Sequence, residues 1–205
     1  MRILIIANGS PVSQELVRRL SAESDRVVLT DGAANHWNPY LPAPDFVLGD
    51  FDSIQPVHLA TLTKTQRIDA PDQHASDLEK AIQFAISIGA KAISIAGWEG
   101  DRQDHMLTAV SLLLQYEATC RVRLVSQNAE LYSVIKRLKI SGSVGDTLSL
   151  IAFSLVQDLT LTGVKWPLEK ATLAPGSSGV SNIFEKSTVS ISLSSGSLIV
   201  VHTRN

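Results

Sequence analysis

The sequence predicts an α/β protein in two parts. An N-terminal domain over residues 1–128 is built on a doubly wound, mostly parallel sheet, and an all-β sandwich or barrel follows over residues 129–205. Three observations carry this reading. Up to about residue 125, short β-branched runs alternate with helical patterns, as in βαβ units whose sheet is covered on both faces. Beyond about Ser126 the rhythm becomes short alternating segments with glycine turns, at a spacing of about ten residues that suits hairpins. The 205 residues, 44% hydrophobic and 19% charged, are enough to bury a substantial core without disulfide staples.

In chain order, the expected strands of the first part are Ile3 to Ala7, Arg26 to Thr30, Phe46 to Leu48, Ala92 to Ala96 and Arg121 to Val125, with a weaker one at Gln66 to Asp69. Leu16, Val17 and Leu20 form one helical stripe. Leu78, Ala81, Ile82, Ala85 and Ile86 form another, opened by the capping box Ser76 to Glu79 and closed by Gly89. A third helix runs from about Asp104 to Tyr116, with Leu107, Val110, Leu113 and Leu114 on its apolar side. The second part offers strands at Leu138 to Ser141, Thr147 to Phe153, Leu159 to Gly163, Thr188 to Leu193 and Ser197 to His202. Gly142 to Asp146 and Ser194 to Gly196 carry turn chemistry, Pro175 to Ser178 reads as a loop, and the domain boundary falls within Gln127 to Tyr132.

Eighteen Lys+Arg against 20 Asp+Glu give a net charge of -2, so there is no global basic field and no nucleic-acid partner is expected. The single cysteine, Cys120, can form neither an internal disulfide nor a thiolate zinc site, which fits a reducing cytoplasm. The opening apolar run Ile3 to Ala7 is too short for a signal sequence, and no run approaches the ~18 residues of a membrane span. A cytoplasmic chain with no membrane partner is the expectation.

Ligands of open parallel sheets bind beyond the carboxyl ends of the strands, and here those positions are acidic. They read Asn8-Gly9-Ser10, Asp31-Gly32-Ala33-Ala34-Asn35, Gly49-Asp50-Phe51-Asp52-Ser53 and Gly97 to His105, with Asp72 to Asp77 between. Each has a structural reading of its own. Asp31-Gly32 is a turn former, Asp77 suits a helix N-terminus, and Asp50 and Asp52 face one way if the segment is extended. The histidines lack zinc spacing. Together, five carboxylates at one sheet edge repel unless a cation sits among them, and carboxylate oxygens select a hard ion such as Mg²⁺. A metal without thiols or paired histidines suggests phosphate chemistry, and Lys80 and Arg102 supply cations for phosphate oxygens. Neither a Walker A sequence nor G-x-G-x-x-G occurs.

These segments together resemble the thiamine pyrophosphokinase family, which transfers diphosphate from ATP to the hydroxyl of thiamine and releases AMP. The resemblance spans nearly the whole chain. It rests on Asn8-Gly9, Asp31 to Asn35 for D-G-G-A-N, Pro44 to Ser53, Asp72-Gln73 with Ser76 to Ala81, and Gly100 to His105 for G-G-R-x-D-H. In the β half, Gly163 to Leu168 resembles G-L-K-[WY]-x-L, and Gly179 to Asn182 the S-N element. Departures are Ala33 and Asp101 for glycines, Ser76 for threonine, and Thr108-Ala109 after Asp-His.

The resemblance implies an ATP- and Mg²⁺-binding catalytic domain, a thiamine-binding β domain, and a homodimer with sites between subunits. It implies that Asp31, Asp50, Asp52, Asp77 and Asp104 supply the metal and catalytic carboxylates. Lys80, Arg102 and Gln73 would then meet phosphate or substrate groups, with Asn8, Asn35, Ser53, Asp72 and His105 around the bound ligands. Trp166, Ser181 and Asn182 would face thiamine, although Trp166 also reads as a core residue and Asn182 as a turn residue. Asp77, rather than Asp104, is the first choice for accepting the hydroxyl proton. Two other readings stay open: another Mg²⁺-dependent nucleotide-using transferase such as a glycosyltransferase, cued by the D-x-D alone, and a non-catalytic sensor of thiamine or its diphosphate.

Overall fold

A computed structural model of the chain describes residues 1–72 and 74–205, with Leu59 described by its backbone alone. The chain forms two compact units, one of residues 1–112 and 119–127, the other of residues 113–118 and 128–205.

The first unit contains β1 (Arg2–Ile6), α1 (Gln14–Ala22), β2 (Arg26–Thr30), a short 3₁₀ turn (Gly32–His36), β3 (Phe46–Gly49), α2 (Pro56–Thr61), β4 (Gln66–Asp69), α3 (Asp77–Ser87), β5 (Ala92–Ala96), most of α4 (Gln103–Tyr116) and β6 (Arg121–Val125). Its strands are parallel and run in the order β6-β5-β1-β2-β3-β4. The direction of winding therefore reverses between β1 and β5, and a crevice forms at such a reversal.

Side chains alternate across this sheet. Leu4, Ile6, Leu29 and Val47 pack with Leu16, Val17 and Leu20 of α1, the stripe read from the sequence. The opposite face meets α3, which buries Ala81, Ile82 and Ala85 and sets Phe84 edge-on to Phe46 at 5.0 Å. Ser13 and Ser76 cap α1 and α3, accepting hydrogen bonds from the Leu16 and Glu79 amides at 3.2 and 3.3 Å. Gly89 ends α3 in the left-handed region, at φ +94°.

One helix departs from expectation. In α4 the buried side is Ala109, Leu112 and Leu113, whereas Leu107 is 71% exposed. Apolar residues lie on more than one side of this helix, so their spacing alone does not single out the inward face.

The second unit contains β7 (Ala129–Val134), β8 (Arg137–Ser141), β9 (Thr147–Ala152), β10 (Val156–Thr162), β11 (Leu168–Leu173), β12 (Asn182–Ile183), β13 (Thr188–Ser192) and β14 (Leu198–Thr203). Two antiparallel sheets, β12-β9-β14-β7 and β11-β10-β13-β8, share one core drawn from both. Leu148, Leu150, Leu198 and Val200 meet Leu159, Leu161, Val189 and Ile191 there, so the architecture is a sandwich. A buried pair braces its Gly142 to Asp146 turn. His202 Nε2 and Asp146 Oδ2 are 2.7 Å apart, the same oxygen accepts from Ser143 N at 2.9 Å, and the imidazole stacks on Phe184. Among the described residues, no helix is long and apolar enough to cross a membrane.

Candidate active site

The winding reversal produces the expected crevice. Residues 7–11 after β1, Thr30 at the end of β2, residues 76–78 at the start of α3 and residues 97–102 after β5 line a cleft of about 750 Å³, together with Asp104, His105 and Thr108 of α4. The loops after β1 and β5 are tied by Gly9 N donating to Gly97 O at 2.7 Å and Ser10 N to Glu99 O at 2.5 Å.

Asp31 anchors the acidic group. It follows β2, is 2% exposed, and caps the 3₁₀ turn by accepting from Gly32 N through Oδ1 at 2.5 Å. Its Oδ2 is buried without a hydrogen-bond partner. One carboxylate oxygen from each of Asp31, Asp50 and Asp52 lies within 4.8 Å of the other two. Burial raises the Asp31 pKa above the ordinary carboxylate value; the Gly32 amide opposes this, and the charges of Asp77, Asp50 and Asp52 add to it.

Local backbone makes this convergence possible. Asp50 and Asp52 do not converge by strand alternation, because Phe51 between them is left-handed at φ +63°. A non-glycine residue is rarely held there, and the resulting turn brings the Asp52 amide to Asp50 Oδ1 at 3.3 Å. Asn35 grips the same loop from the 3₁₀ turn: Nδ2 donates to Ser53 O at 2.7 Å, and Oδ1 accepts from Gln55 N at 2.8 Å. Two glycines are required by close approach. A Cβ on Gly49 would stand 2.5 Å from Asp31 Cγ, and one on Gly32 would stand 2.0 Å from Asn8 Nδ2, which places Asn8 beside Asp31.

The other expected carboxylates have different company. Asp77 opens α3 and accepts from Lys80 Nζ at 3.1 Å, with Lys80 itself only 8% exposed. Asp104 lies outside the acidic trio, and Arg102 holds it with Nε and Nη2 at 2.9 and 2.6 Å. That bidentate pair holds the Asp104 carboxyl far below its usual range. Ser53 Oγ donates to Asp52 at 2.8 Å, Asp72 accepts from the His74 amide in a local turn, and His105 is exposed at the cleft. Gln73 lies outside the described residues.

The sequence gives little sign of three further polar groups. Among the described residues, the buried side-chain atoms left without a partner are Thr30 Oγ1, Asp31 Oδ2, Trp98 Nε1 and Ser126 Oγ. All four fall at or within two residues of the carboxyl end of β2, β5 or β6. Unsatisfied buried groups are costly, so the confinement of these four to one edge of one sheet sets that edge apart among the described residues. Thr30, Trp98 and Ser126 stand out in sequence only by following strands.

In the second unit, Trp166 is 54% exposed, with Lys165 Nζ 4.8 Å from its ring centre, so it is not a core residue. Ser181 is exposed and left-handed at φ +62°. Asn182 is buried; its Oδ1 accepts from Trp166 N and Ile183 N, and its Nδ2 donates to Trp166 O.

Residues 17–124 match the family described as Thiamin pyrophosphokinase, catalytic domain, and residues 135–198 match Thiamin pyrophosphokinase, vitamin B1 binding domain. The chain belongs to the thiamin pyrophosphokinase family. The catalytic-domain match contains Asp31, Asp50, Asp52, Asp77 and Asp104, and the B1-binding match contains Trp166, Ser181 and Asn182. A thiamine pyrophosphokinase of Bacillus subtilis is 26% identical over 219 residues, covering 99% of each chain. The solved thiamin pyrophosphokinase of Geobacillus thermodenitrificans is similar at a TM-score of 0.87 and 25% identity, covering 100% of this chain and 98% of that one. The Candida albicans structure shares the fold at a TM-score of 0.84 and 16% identity, covering 100% and 90%. As a thiamin pyrophosphokinase family member, the chain is an enzyme of thiamine diphosphate synthesis.

Proposed function

We infer that this chain transfers a diphosphate from ATP to the hydroxyl of thiamine at the Asp31, Asp50 and Asp52 site, giving thiamine diphosphate and AMP. The observation that carries the site is Asp31 Oδ2, buried without a partner beside two more carboxylates. Three such groups held together fit a hard divalent cation, which keeps few protein ligands and takes the rest from water and phosphate oxygens. Asp31, Asp50 and Asp52 would hold Mg²⁺. Bound there, the ion neutralises charge on the phosphate oxygens of ATP.

The protein's own residues supply alignment. The thiamine hydroxyl oxygen bonds to the β-phosphorus, the bond from that phosphorus to the oxygen bridging to the α-phosphate breaks, and AMP leaves with that oxygen. Asp77 accepts the hydroxyl proton, its carboxylate oriented by Lys80. Arg102 turns from Asp104 toward phosphate, for which its planar fork is suited. Asn8, Ser53, Asp72 and His105 complete the surroundings, while Asn35 holds the loop bearing Asp50 and Asp52. Residues 1–128 form the ATP and Mg²⁺ domain and residues 129–205 the thiamine domain, where the exposed Trp166 ring, with Ser181 next to the Asn182 that bonds its backbone, suits a flat, cationic acceptor. The working form is a homodimer with sites shared between subunits, in the reducing cytoplasm that a lone cysteine suits.

An assay for AMP tests the reaction. AMP should appear only when thiamine, ATP and Mg²⁺ are all present. Formation of ADP and thiamine monophosphate would overturn diphosphate transfer.

A further inference from the structure

Asn182 is 9% exposed and begins the two-residue strand β12, paired to Leu148 of β9. Its side chain is committed to main chain. Oδ1 accepts from Trp166 N at 3.1 Å and from Ile183 N at 2.9 Å, and Nδ2 donates to Trp166 O at 2.7 Å. An asparagine amide offers two lone pairs and two N–H groups, so one N–H remains. The two bonds to residue 166 grip both of its backbone polar groups, as a neighbouring strand would. Lys165 N donating to Ile183 O at 2.9 Å and the Val164 to Phe184 bridge extend this pairing.

The grip matters because burial does not hold the tryptophan. Its ring is 54% exposed, and the contact on its face is the flexible Lys165 side chain. The paired backbone sets the direction in which this side chain leaves the main chain. The chain also accepts strain to present the amide: Ser181, just before Asn182, is left-handed at φ +62°, with its N–H held by Ser149 Oγ at 3.0 Å.

We propose that Asn182 is a positioning residue for the acceptor: it fixes the Trp166 backbone so that the indole face is presented to thiamine, and does not itself bind thiamine. This rests on the reading that Trp166 meets thiamine. If Asn182 acts through Trp166, its loss should have no further effect once the ring is gone.

The test is a double-mutant cycle in the full-length enzyme, with KM measured separately for thiamine and ATP. Asn182→Ala should raise the thiamine KM by about tenfold and leave the ATP KM within about twofold. In a Trp166→Ala background the same change should add less than about twofold. Equal effects of Asn182→Ala in both backgrounds would mean direct contact with thiamine and overturn the proposal while leaving Trp166 as the platform. A Trp166→Ala enzyme with unchanged thiamine KM would remove the platform, and the proposal with it. If Asn182→Ala does not fold, Asn182→Asp keeps both acceptor bonds, loses the donor to Trp166 O, and enters the same cycle. A second measurement is independent of activity. With Trp37 and Trp98 changed to Phe, time-resolved anisotropy of Trp166 should show greater nanosecond ring motion after Asn182→Ala, and unchanged motion would overturn the clamp.

Discussion

Asp31 is under two opposed demands. A buried carboxylate with an unpartnered oxygen and two acidic neighbours weakens the metal-free fold, and the same features make it a ligand. Its pKa is raised in the fold, so at neutral pH ionisation favours the unfolded chain, and this cost is relieved as pH falls through the folded value. Asp31→Asn keeps an oxygen for the Gly32 amide and removes the charge. It should raise the melting temperature of metal-free protein at pH 7 by about 2–4 °C, corresponding to about 1 kcal/mol, while abolishing turnover. Mg²⁺ should raise the melting temperature of wild type but not of the variant. Asp52, which is exposed, should separate the two effects differently: Asp52→Asn should lower turnover by orders of magnitude with a melting temperature changed by less than about 1 °C. A shifted melting temperature with near-normal turnover would assign Asp52 to the loop alone. These acids are legible in the sequence because residue type and strand end are both written there. The rotation at Phe51 that gathers them is not, since nothing in a phenylalanine announces a positive φ.

At the scale of elements, regular alternation marks what can be read. The parallel strands β1, β2, β3 and β5 are short, largely apolar runs between turn residues, β13 alternates apolar and polar residues, and β14 opens on the apolar run Leu198 to Val201. β7 is hidden because it buries Glu130 and Ser133, polar residues satisfied by Arg204 and Tyr132, and by Leu113 O and Glu117. The start of β10 and all of β11 are hidden by irregular pairing, with Asp158 and Lys170 both left-handed. The two residues of β12 are too few to carry a period. The Asp146 brace belongs to this scale. Burial pushes its carboxyl pKa up, but hydrogen bonds from His202, Ser143 N and Asn205 N outweigh this and leave it below the ordinary value. Its stabilisation is therefore complete above about pH 4, the unfolded aspartate value, and is lost as pH falls through the lower folded value. Asp146→Asn should be less stable than wild type in urea at pH 7, and the gap should narrow as pH falls below about pH 4. A gap that stays constant with pH would assign the brace to packing against Phe184 rather than to charge.

For the whole molecule, the decisive question is how the acidic trio of one unit and the tryptophan of the other combine in a working enzyme. The two lie in separately matched segments, so one chain can be disabled in either without touching the other. If each site in a homodimer draws its carboxylates from one subunit and its thiamine platform from the other, an Asp52→Asn chain and a Trp166→Ala chain complement each other. Random exchange of equal amounts makes half of the dimers mixed. In a mixed dimer one site carries both lesions and the other carries neither. Recovery should therefore approach about one quarter of wild-type activity at limiting thiamine, where the platform is needed most. Exchange is checked with differently tagged chains, and activity should rise in step with the mixed species. Mixed dimers with no recovery would place both contributions in a single chain, because every site would then keep one lesion however the subunits were paired.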